Sequence, residues 1–422
     1  MKIIKGKEVD TFIESLRRRL YAIGRVENPV RKILNDVKKN GDEALRRYTQ
    51  KFDSIKLRSL LISKKEIESS ANKADKKAVK ALEFSAKRIR AFHERQKEKS
   101  WSFSKNGITL GQIIIPIERV GVYVPGGRAS YPSTVLMNVI PAQVAGVPEI
   151  AICVPTPRGE INPYVMSAIR LLGVKEVYRI GGAQAIGAVA YGTETIKKVD
   201  KIVGPGNIYV ATAKRLVFGE VDIDMIAGPS EILIIADKSA IASFIAADLL
   251  GQAEHDEMAS AILVTTSEAL AQKVREELTY QLKPLKRKEI AKESLDKYGA
   301  IIIIKTLKDA VEVTNKIAPE HLEIMTAEPE RLLPQIKNAG AIFLGQWSPE
   351  PLGDYSAGPN HILPTGGTAR FSSPLGVYDF IKRASLMSFK KEGFLRLARV
   401  VETLADAEGL EAHGDAIRIR YS

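Results

Sequence analysis

The chain has 422 residues, of which 45% are hydrophobic and 27% are charged. This length exceeds what one hydrophobic core usually fills, and the composition excludes a disordered protein, so we predict at least two globular domains. The formal net charge of +13 comes from residues 1–100, where 28 Lys and Arg stand against 14 Asp and Glu.

Residues 1–107 are predicted to form a helical N-terminal region. Apolar residues recur there at helical spacing, as at Phe12, Leu16 and Leu20, and the pattern continues over 73–95. Basic residues are mixed with acidic ones and few aromatic residues accompany them, so a solvated helical surface is favoured over nucleic-acid binding. His93 lies in this mixed-charge pattern, and we expect it to be solvated.

From about residue 108, short apolar runs alternate with amphipathic stretches, which is typical of parallel α/β sheets with crossover helices. The runs are 120–124, 150–154, 177–180, 202–203, 232–235, 261–264, 301–304 and 341–344. They divide near Asp237, which predicts one α/β domain over 108–237 and a second over 238–375.

After residue 375 no strand pattern is visible. Glu392–Leu410 is predicted to be an amphipathic helix, and a short tail over 416–420 follows it. We therefore predict a helical C-terminal tail over 376–422. Because a segment this small cannot bury a core alone, it must dock on its own chain or on a partner subunit.

The only cysteine, Cys153, lies in an apolar run and is predicted to be a buried strand residue. A single cysteine excludes an intrachain disulfide framework and a multi-cysteine metal cluster. The N-terminus lacks the long apolar stretch of a signal peptide, and no run of about 18 apolar residues could span a membrane. We expect a soluble cytoplasmic protein with no membrane partner.

Three glycine-rich turns follow predicted strands, at 124–127, 180–184 and 204–207. Glycine at a strand end lets the backbone approach a ligand, and a following helix N-terminus offers N–H groups to a phosphate. Each turn alone is typical of an ordinary tight turn. Three of them at successive strand ends favour a ligand cleft.

Four of the five histidines lie beside acids, amides or glycines in the second half of the chain. Gln252 and His255 are three residues apart near the end of a predicted helix, Ala240–His255, and so share one helix face. Asp354, in the predicted loop GDYSAGPNH, and His413, in the tail, add ligand types that Zn²⁺ binds. A polar surface near a helix end is the alternative for Gln252 and His255 alone, whereas four such residues from separate segments favour a metal-assisted enzyme.

Glu320 and His321 lie between a predicted helix, Lys308–Ile317, and the strand-like segment Leu322–Met325. We predict that they lie at the C-terminal rim of a parallel sheet, where α/β enzymes place acid and base residues. His361 fits a site role and a structural role equally.

Eight blocks in register together resemble the histidinol dehydrogenase family over essentially the whole chain. They are VGVYVPGG, IGGAQAIGA, KIVGPGN, AGPSEILIIAD, GQAEHD, APEHLE, FLGQWSPEPLGDYSAGPNHILPT and AEGLEAHGDAIRIR. The resemblance implies two Rossmann-like parallel-sheet domains. It also implies a homodimer in which the helical N- and C-terminal parts interlock the subunits, so that the C-terminal tail docks on the partner.

The resemblance also implies the residues of a shared active site. The implied ligands of one Zn²⁺ per subunit are Gln252, His255, Asp354 and His413 of the partner subunit. The implied acid/base pair is Glu320 and His321. Substrate contacts are implied for the zinc ligands, for His321, and for Ser230 and Glu408. The implied lining of the NAD⁺ site is Tyr123, Gln184 and Asn207.

The implied reaction oxidises L-histidinol to L-histidine through L-histidinaldehyde, which removes four electrons and so needs two NAD⁺. We give His321 the role of general base and Glu320 the activation of water for the aldehyde. Because Cys153 lies in an apolar run, direct hydration of the aldehyde is favoured over a thiohemiacetal.

Three alternatives remain open on the residues alone. A related zinc- and NAD-dependent dehydrogenase could act on another small amino or sulfonated alcohol. A metal hydrolase would use the same ligands and acid/base pair without a nucleotide, but the glycine turns argue against it. A basic nucleic-acid-binding protein predicts salt-sensitive binding to DNA or RNA.

Overall fold

A computed structural model describes residues 1–18, 26–126 and 131–421. Leu20 and Gly127, which belong to predicted patterns, lie outside the described residues. The described chain forms a five-stranded sheet, a six-stranded sheet and a three-stranded sheet. None of its described helices is both long enough and apolar enough to cross a membrane.

The elements follow one another in three groups along the chain. The first group is β1 (Lys2–Lys5), α1 (Glu8–Arg18), α2 (Glu27–Asp53), α3 (Lys64–Ala71), α4 (Lys76–Glu94), β2 (Trp101–Lys105) and β3 (Ile108–Pro116). The second is β4 (Arg119–Tyr123), α5 (Pro132–Ala145), β5 (Glu149–Cys153), α6 (Pro163–Leu171), β6 (Glu176–Tyr178), α7 (Gly182–Tyr191), β7 (Lys201–Val203), α8 (Ile208–Val217) and β8 (Asp222–Ile223). The third is β9 (Glu231–Ala236), α9 (Ala242–Ala253), β10 (Ser260–Thr265), α10 (Glu268–Leu282), α11 (Lys288–Tyr298), β11 (Ala300–Ile303), α12 (Leu307–Ile317), β12 (His321–Met325), β13 (Ala341–Leu344), α13 (Glu350–Tyr355), β14 (Ile381–Phe389), α14 (Lys391–Ala407) and α15 (Glu411–Arg418).

The five-stranded sheet is parallel, with the order β6-β5-β4-β7-β8. Every residue of β4 and β7 is buried, which explains why these strands are visible as apolar runs in the sequence. The chain moves outwards from β4 through β5 to β6 and then crosses to β7 on the other side of β4. The carboxyl ends of β4 and β7 therefore form a topological switch point, where α/β sheets bind ligands.

The six-stranded sheet is also parallel, with the order β1-β11-β10-β9-β12-β13. Strand β9 precedes Asp237 but pairs with β10 and β12, so it belongs to this second sheet and not to the first domain predicted over 108–237. Strand β1 pairs with β11, so the N-terminal region is not wholly helical. The sequence pattern missed β1 because this edge strand is short and its partner is almost 300 residues away.

The three-stranded sheet is antiparallel and was not predicted. Strand β14 pairs with β3 along its whole length, and β3 pairs with β2. The prediction that strands stop after residue 375 is therefore wrong, as is the wholly helical assignment of residues 1–107. The side chains of β2 and nearly all of those of β14 are exposed in the single chain, so neither strand carries the apolar run of a buried strand. Helices α14 and α15 follow β14 in the tail.

Residues 356–380 bind the two parallel sheets together. Ile362 and Phe380 are buried in the core of the first sheet. The Gly366 N–H donates to the Glu231 carboxylate at the start of β9, at 3.2 Å. Residues 225–230 also link the sheets directly, from the carboxyl end of β8 to the start of β9. The C-terminal edge of the first sheet and the N-terminal edge of the second are thus joined by a short connection.

His93 is buried beneath residues 356–380. The prediction that it is solvated is therefore wrong. Its Nδ1 lies 2.7 Å from the Gln96 side-chain oxygen, which itself accepts a hydrogen bond from the Val377 N–H at 3.0 Å. The buried side chain of Asn360 donates to the Met137 carbonyl oxygen at 2.6 Å. His93 therefore has a packing role between α4 and the bridging segment.

Candidate functional site

Glu320 and His321 lie where β12 starts, at the N-terminal edge of the second sheet. Helix α12 ends at Ala318, which has a left-handed backbone with φ of 55°, and Pro319 leads directly into the strand. The prediction that the pair lies at the C-terminal rim is therefore wrong. In the parallel register, His321 is opposite Ile232 of β9, which places the pair beside the start of that strand.

The imidazole of His321 is held through one nitrogen and free at the other. Its Nδ1 lies 3.0 Å from the Glu231 carbonyl oxygen, and because a carbonyl only accepts hydrogen bonds, Nδ1 carries the proton. Its Nε2 has no hydrogen bond to a described residue, although His321 is only 3% exposed. Oxygens of Glu350 and Asp354 lie 3.8 Å from Nε2. Nε2 is therefore the nitrogen at which the ring gains or loses its second proton, or at which it could bind a metal.

Burial and mutual charge shift the pKa values of this cluster. Burial raises the pKa of Glu320 to about 7, and burial together with the charge of Asp354 raises the pKa of Glu350 to about 8. Burial lowers the pKa of His321, but the carboxylates of Glu320, Asp354 and Glu350 outweigh it and raise that pKa to about 10. Burial also acts to raise the pKa of Asp354, but His321 and His361 hold it well below its ordinary value. Carboxylates outnumber bases here, so a cation would stabilise the cluster.

The donor atoms of the cluster fit a divalent cation. Ligand atoms of His321, Glu350 and Asp354 all lie within 4.8 Å of one another. Gln252 is fully buried near the end of α9, and its carboxamide makes no hydrogen bond within the described chain, which costs free energy unless an ion or ligand satisfies it. His255 is exposed as a residue, but the atoms packed around its imidazole partly exclude water from the ring and lower its pKa, and Asp354 is near enough to act against this. The imidazole and carboxylate donors of this cluster suit Zn²⁺.

Asp354 lies in helix α13, whereas the sequence predicted a loop. Pro349 and Pro351 occupy the N-cap and the first turn, where proline is tolerated because its missing N–H would be unpaired. The Glu350 N–H at the start of the helix donates to the buried Glu323 carboxylate at 2.8 Å. Glu350 and Asp354 therefore lie on one helix face, four residues apart. Glu350 was not predicted as a site residue, because a spacing of four residues places two side chains on one face only in a helix.

Two further residues support the same edge of the sheet. Ser230 lies directly before β9, and its carbonyl oxygen accepts a hydrogen bond from the Ser260 N–H at 3.0 Å. His361 Nδ1 lies 2.9 Å from the Asp354 carbonyl oxygen, so His361 holds the end of α13. The structure therefore gives His361 a role in supporting Asp354.

The tail residues Glu408 and His413 are not brought to this cluster within one chain. Glu408 follows α14, His413 lies in α15, and both are exposed. No hydrogen bond or ion pair joins the side chain of either residue to the cluster across the described ranges.

The residues predicted for a nucleotide lie at the C-terminal edge of the first sheet. Tyr123 ends β4, and its buried hydroxyl accepts a hydrogen bond from the Gly182 N–H at 3.1 Å. Gln184 lies in the first turn of α7, buried, and its side-chain oxygen has no hydrogen-bond partner among the described residues. Asn207 is exposed and caps α8, where its side chain accepts hydrogen bonds from the first-turn N–H groups.

The glycine turn after β7 packs directly on β4. Gly204 has φ of +111°, and a Cβ there would lie 2.1 Å from the Tyr123 carbonyl oxygen, so only glycine fits. The turn therefore lies at the switch point between β4 and β7, close to the backbone of Tyr123. Of the three predicted turns, the one over 124–127 is described only as far as Gly126.

Cys153 is a buried strand residue, as predicted. Burial raises the pKa of its thiol to about 12, so the thiol is protonated near neutral pH and is a poor nucleophile.

Comparison with known proteins gives one consistent family. The sequence model of the histidinol dehydrogenase family matches residues 16–421. Histidinol dehydrogenase from Aquifex aeolicus is 57% identical over 396 residues, which cover 93% of this chain and 92% of that protein. The enzyme from Bacillus subtilis is 55% identical over 393 residues, with 93% and 92% covered.

A solved structure agrees with these sequence matches. The crystal structure of histidinol dehydrogenase from Elizabethkingia anophelis superposes with a TM-score of 0.91 at 40% identity, and the match covers 94% of this chain and 92% of that one. The arrangement of sheets and helices described above is thus also found in that structure.

Proposed function

The chain belongs to the histidinol dehydrogenase family of oxidoreductases, and from this premise we propose that it oxidises L-histidinol to L-histidine through L-histidinaldehyde with two NAD⁺. The observation that carries the proposal is the His321 imidazole, fixed through Nδ1 and free at Nε2 inside a cluster of carboxyl groups. The balanced reaction consumes one water and two NAD⁺ per histidinol and releases two NADH and three protons.

His321 is the general base in this proposal. Its Nε2 takes the proton of the alcohol, and later that of the hydrated aldehyde, as hydride leaves for NAD⁺. The Glu231 carbonyl oxygen keeps the ring oriented. Without a metal, the nearby carboxylates raise the pKa of His321 to about 10, so the ring is protonated near neutral pH. A zinc ion bound beside these carboxylates would offset their charge and lower that pKa, which would leave Nε2 able to act as the base.

Glu320 activates the water that attacks the aldehyde. Its Oε2 accepts a hydrogen bond from the Glu231 N–H at 2.9 Å, which fixes the carboxyl group beside His321. Because burial raises its pKa to about 7, Glu320 can both release and take up a proton near neutral pH. The buried thiol of Cys153 leaves direct hydration as the route to the acid.

The proposed zinc ligands are Gln252, His255, Asp354 and His413 of the partner subunit. The unpartnered carboxamide of Gln252 and the excess of carboxylates support a cation here. When bound, the zinc ion supplies a fixed positive charge that anchors the imidazole and amino nitrogens of the substrate. Ser230 and Glu408 are proposed to complete the substrate site. Tyr123, Gln184 and Asn207 are the residues that would hold NAD⁺, which would accept the hydride.

A homodimer with shared active sites is part of the proposal. The three-stranded sheet and α14 expose large apolar side chains in the single chain: Trp101, Phe103, Met387, Val400 and Leu404. Helix α14 contacts both β14 and α15, so these exposed side chains lie on elements next to the tail that carries Glu408 and His413. A cytoplasmic location is also proposed, since it is consistent with a biosynthetic enzyme of this family.

The dimer is tested by coexpressing His413→Ala and Asp354→Ala chains. Each variant alone should be inactive. If His413 serves the partner's site, random pairing gives heterodimers with one intact site, so about a quarter of wild-type activity returns. No recovery would contradict the shared site.

The reaction itself is tested by mixing the protein with L-histidinol and NAD⁺. NADH absorbance should appear, vanish after a chelator removes metal, and return with Zn²⁺. A metal hydrolase would form no NADH, and a faster reaction with another small amino alcohol or a sulfonated alcohol would reassign the substrate. Full activity in a metal-free preparation would reject the zinc role.

A further inference from the structure

A buried ion pair lies beneath the glycine turn that follows β7. Lys214, on the inner face of α8, is only 1% exposed, yet it carries a charged amino group. That group pairs with the carboxylate of Asp224, whose side chain is also 1% exposed. Burying two charges is costly, so the contacts that this pair makes need an explanation.

Both members of the pair bind the backbone of Gly204. The Gly204 N–H donates to Asp224 Oδ2 at 2.7 Å, and Lys214 Nζ donates to the Gly204 carbonyl oxygen at 2.9 Å. The second Asp224 oxygen also accepts a hydrogen bond from the Met225 N–H at 2.6 Å. Both hydrogen-bonding groups of Gly204 are therefore satisfied by one charged pair.

The third side of Gly204 is closed by strand β4. Its Cα faces the Tyr123 carbonyl oxygen so closely that no side chain fits. The turn is thus fixed from three directions at the switch point between β4 and β7. Asn207, three residues later, starts α8 and lies at the edge where the nucleotide is proposed to bind.

Stability alone does not account for this arrangement. Apolar side chains of similar volume usually stabilise a core as well as a buried ion pair or better. An apolar pair could not form hydrogen bonds with both the N–H and the carbonyl of Gly204, whose backbone has a positive φ. A fixed turn matters where backbone must approach a ligand, because ordering the turn on binding would weaken affinity.

We propose that Lys214 and Asp224 are positioning residues that fix the turn over 204–207 for the dinucleotide and so determine the affinity for NAD⁺. This inference rests on the proposed NAD⁺-dependent function. Neither residue touches the acid cluster at the start of β12, so the pair should act on the nucleotide and not on the metal or on histidinol.

The test is the double variant Lys214→Met with Asp224→Asn. It removes both charges at similar volume, and the asparagine oxygen can still accept from the Gly204 N–H. The Gly204 carbonyl loses its donor, and the Met225 N–H loses its acceptor. We expect the KM for NAD⁺ to rise about tenfold or more, which corresponds to about 1.4 kcal/mol of binding free energy. The KM for histidinol and the zinc content should match the wild type.

Arg119→Met is the matched control. Arg119 is buried at the start of β4, at the opposite edge of the same sheet, and pairs with Glu149 and Glu176. It should lower the melting temperature without changing the KM for NAD⁺. If the double variant melts early like this control but keeps the wild-type KM for NAD⁺, the pair is only structural and the inference is wrong.

A single variant tests the proposal when the double variant cannot. If the double variant does not fold, Asp224→Asn alone is measured. It retains the acceptor for the Gly204 N–H, but it removes the charge that pairs with Lys214 and the oxygen that accepts from the Met225 N–H. A raised KM for NAD⁺ then supports the inference, and an unchanged one overturns it. Failure of the proposed function is separate, since wild-type protein would then form no NADH.

Discussion

The variant His321→Asn removes the general base but keeps the hydrogen bond that orients its side chain. The asparagine amide can donate to the Glu231 carbonyl oxygen as Nδ1 does, so the buried acceptor stays paired. Nothing then occupies the position of Nε2, the atom with no other partner. A positioned general base contributes about 10²–10⁴-fold, so we expect hydride transfer to slow by that factor, or about 3–5 kcal/mol of barrier.

His321→Gln is the matched variant for metal binding. Its longer amide can reach the position of Nε2 and could ligate a metal, but it cannot act as a base. Stopped-flow NADH absorbance gives the rate of the first hydride transfer, and elemental analysis after dialysis gives the zinc content. Both variants should lose the rate and keep their zinc.

Two results would contradict the role of His321 as the general base. If the asparagine variant loses zinc while the glutamine variant keeps it, His321 is a ligand, as its closeness to Glu350 and Asp354 would allow. If either variant transfers hydride within about threefold of the wild-type rate, the proton leaves by another route.

Two other predictions concern the same cluster, and a third concerns Cys153. Gln252→Leu removes an unpartnered buried amide, so the metal-free protein should gain about 1–3 kcal/mol in chemical denaturation while zinc binding weakens about tenfold or more; a less stable metal-free variant would contradict this. In the folded metal-free protein, the pKa values of Glu320, Glu350 and His321 are raised to about 7, 8 and 10, from ordinary values of 4.5, 4.5 and 6.5. The folded state therefore binds more protons than the unfolded state over this pH range, so its stability falls as the pH rises. We expect the melting temperature to fall between about pH 6 and pH 9. Zn²⁺ should remove most of this fall, and a flat profile without metal would exclude such coupling. Cys153→Ala should leave turnover nearly intact, and a loss of about a thousandfold would restore a thiohemiacetal route.

Most strands of the two parallel sheets could be predicted, because both faces of the central strands are buried. Their residues are apolar without alternation, as in β9 and β10, and such runs stand out between amphipathic helices. Strands β2 and β14 could not be predicted in this way, because most of their side chains are exposed in one chain. Their pairing depends on contacts far apart in sequence.

The candidate site was predictable in its residue types but not in its position. Gln252 and His255 were paired on one face of a helix predicted to end at His255, but α9 ends at Ala253 and His255 follows it. The charge interaction of His255 with Asp354 depends on how the end of α9 meets α13. Glu350 was hidden because prolines obscured a short helix. The edge assigned to His321 was wrong, because a helix that ends directly before a strand places the intervening residues at the start of that strand.

The central claim is the oxidation of an alcohol to an acid in two hydride transfers at one site. The most direct measurement is the number of NADH molecules formed per L-histidinol consumed, with the product identified by chromatography. We expect two NADH per L-histidinol, with L-histidine as the product. One NADH per histidinol, with the aldehyde as the final product, would contradict it.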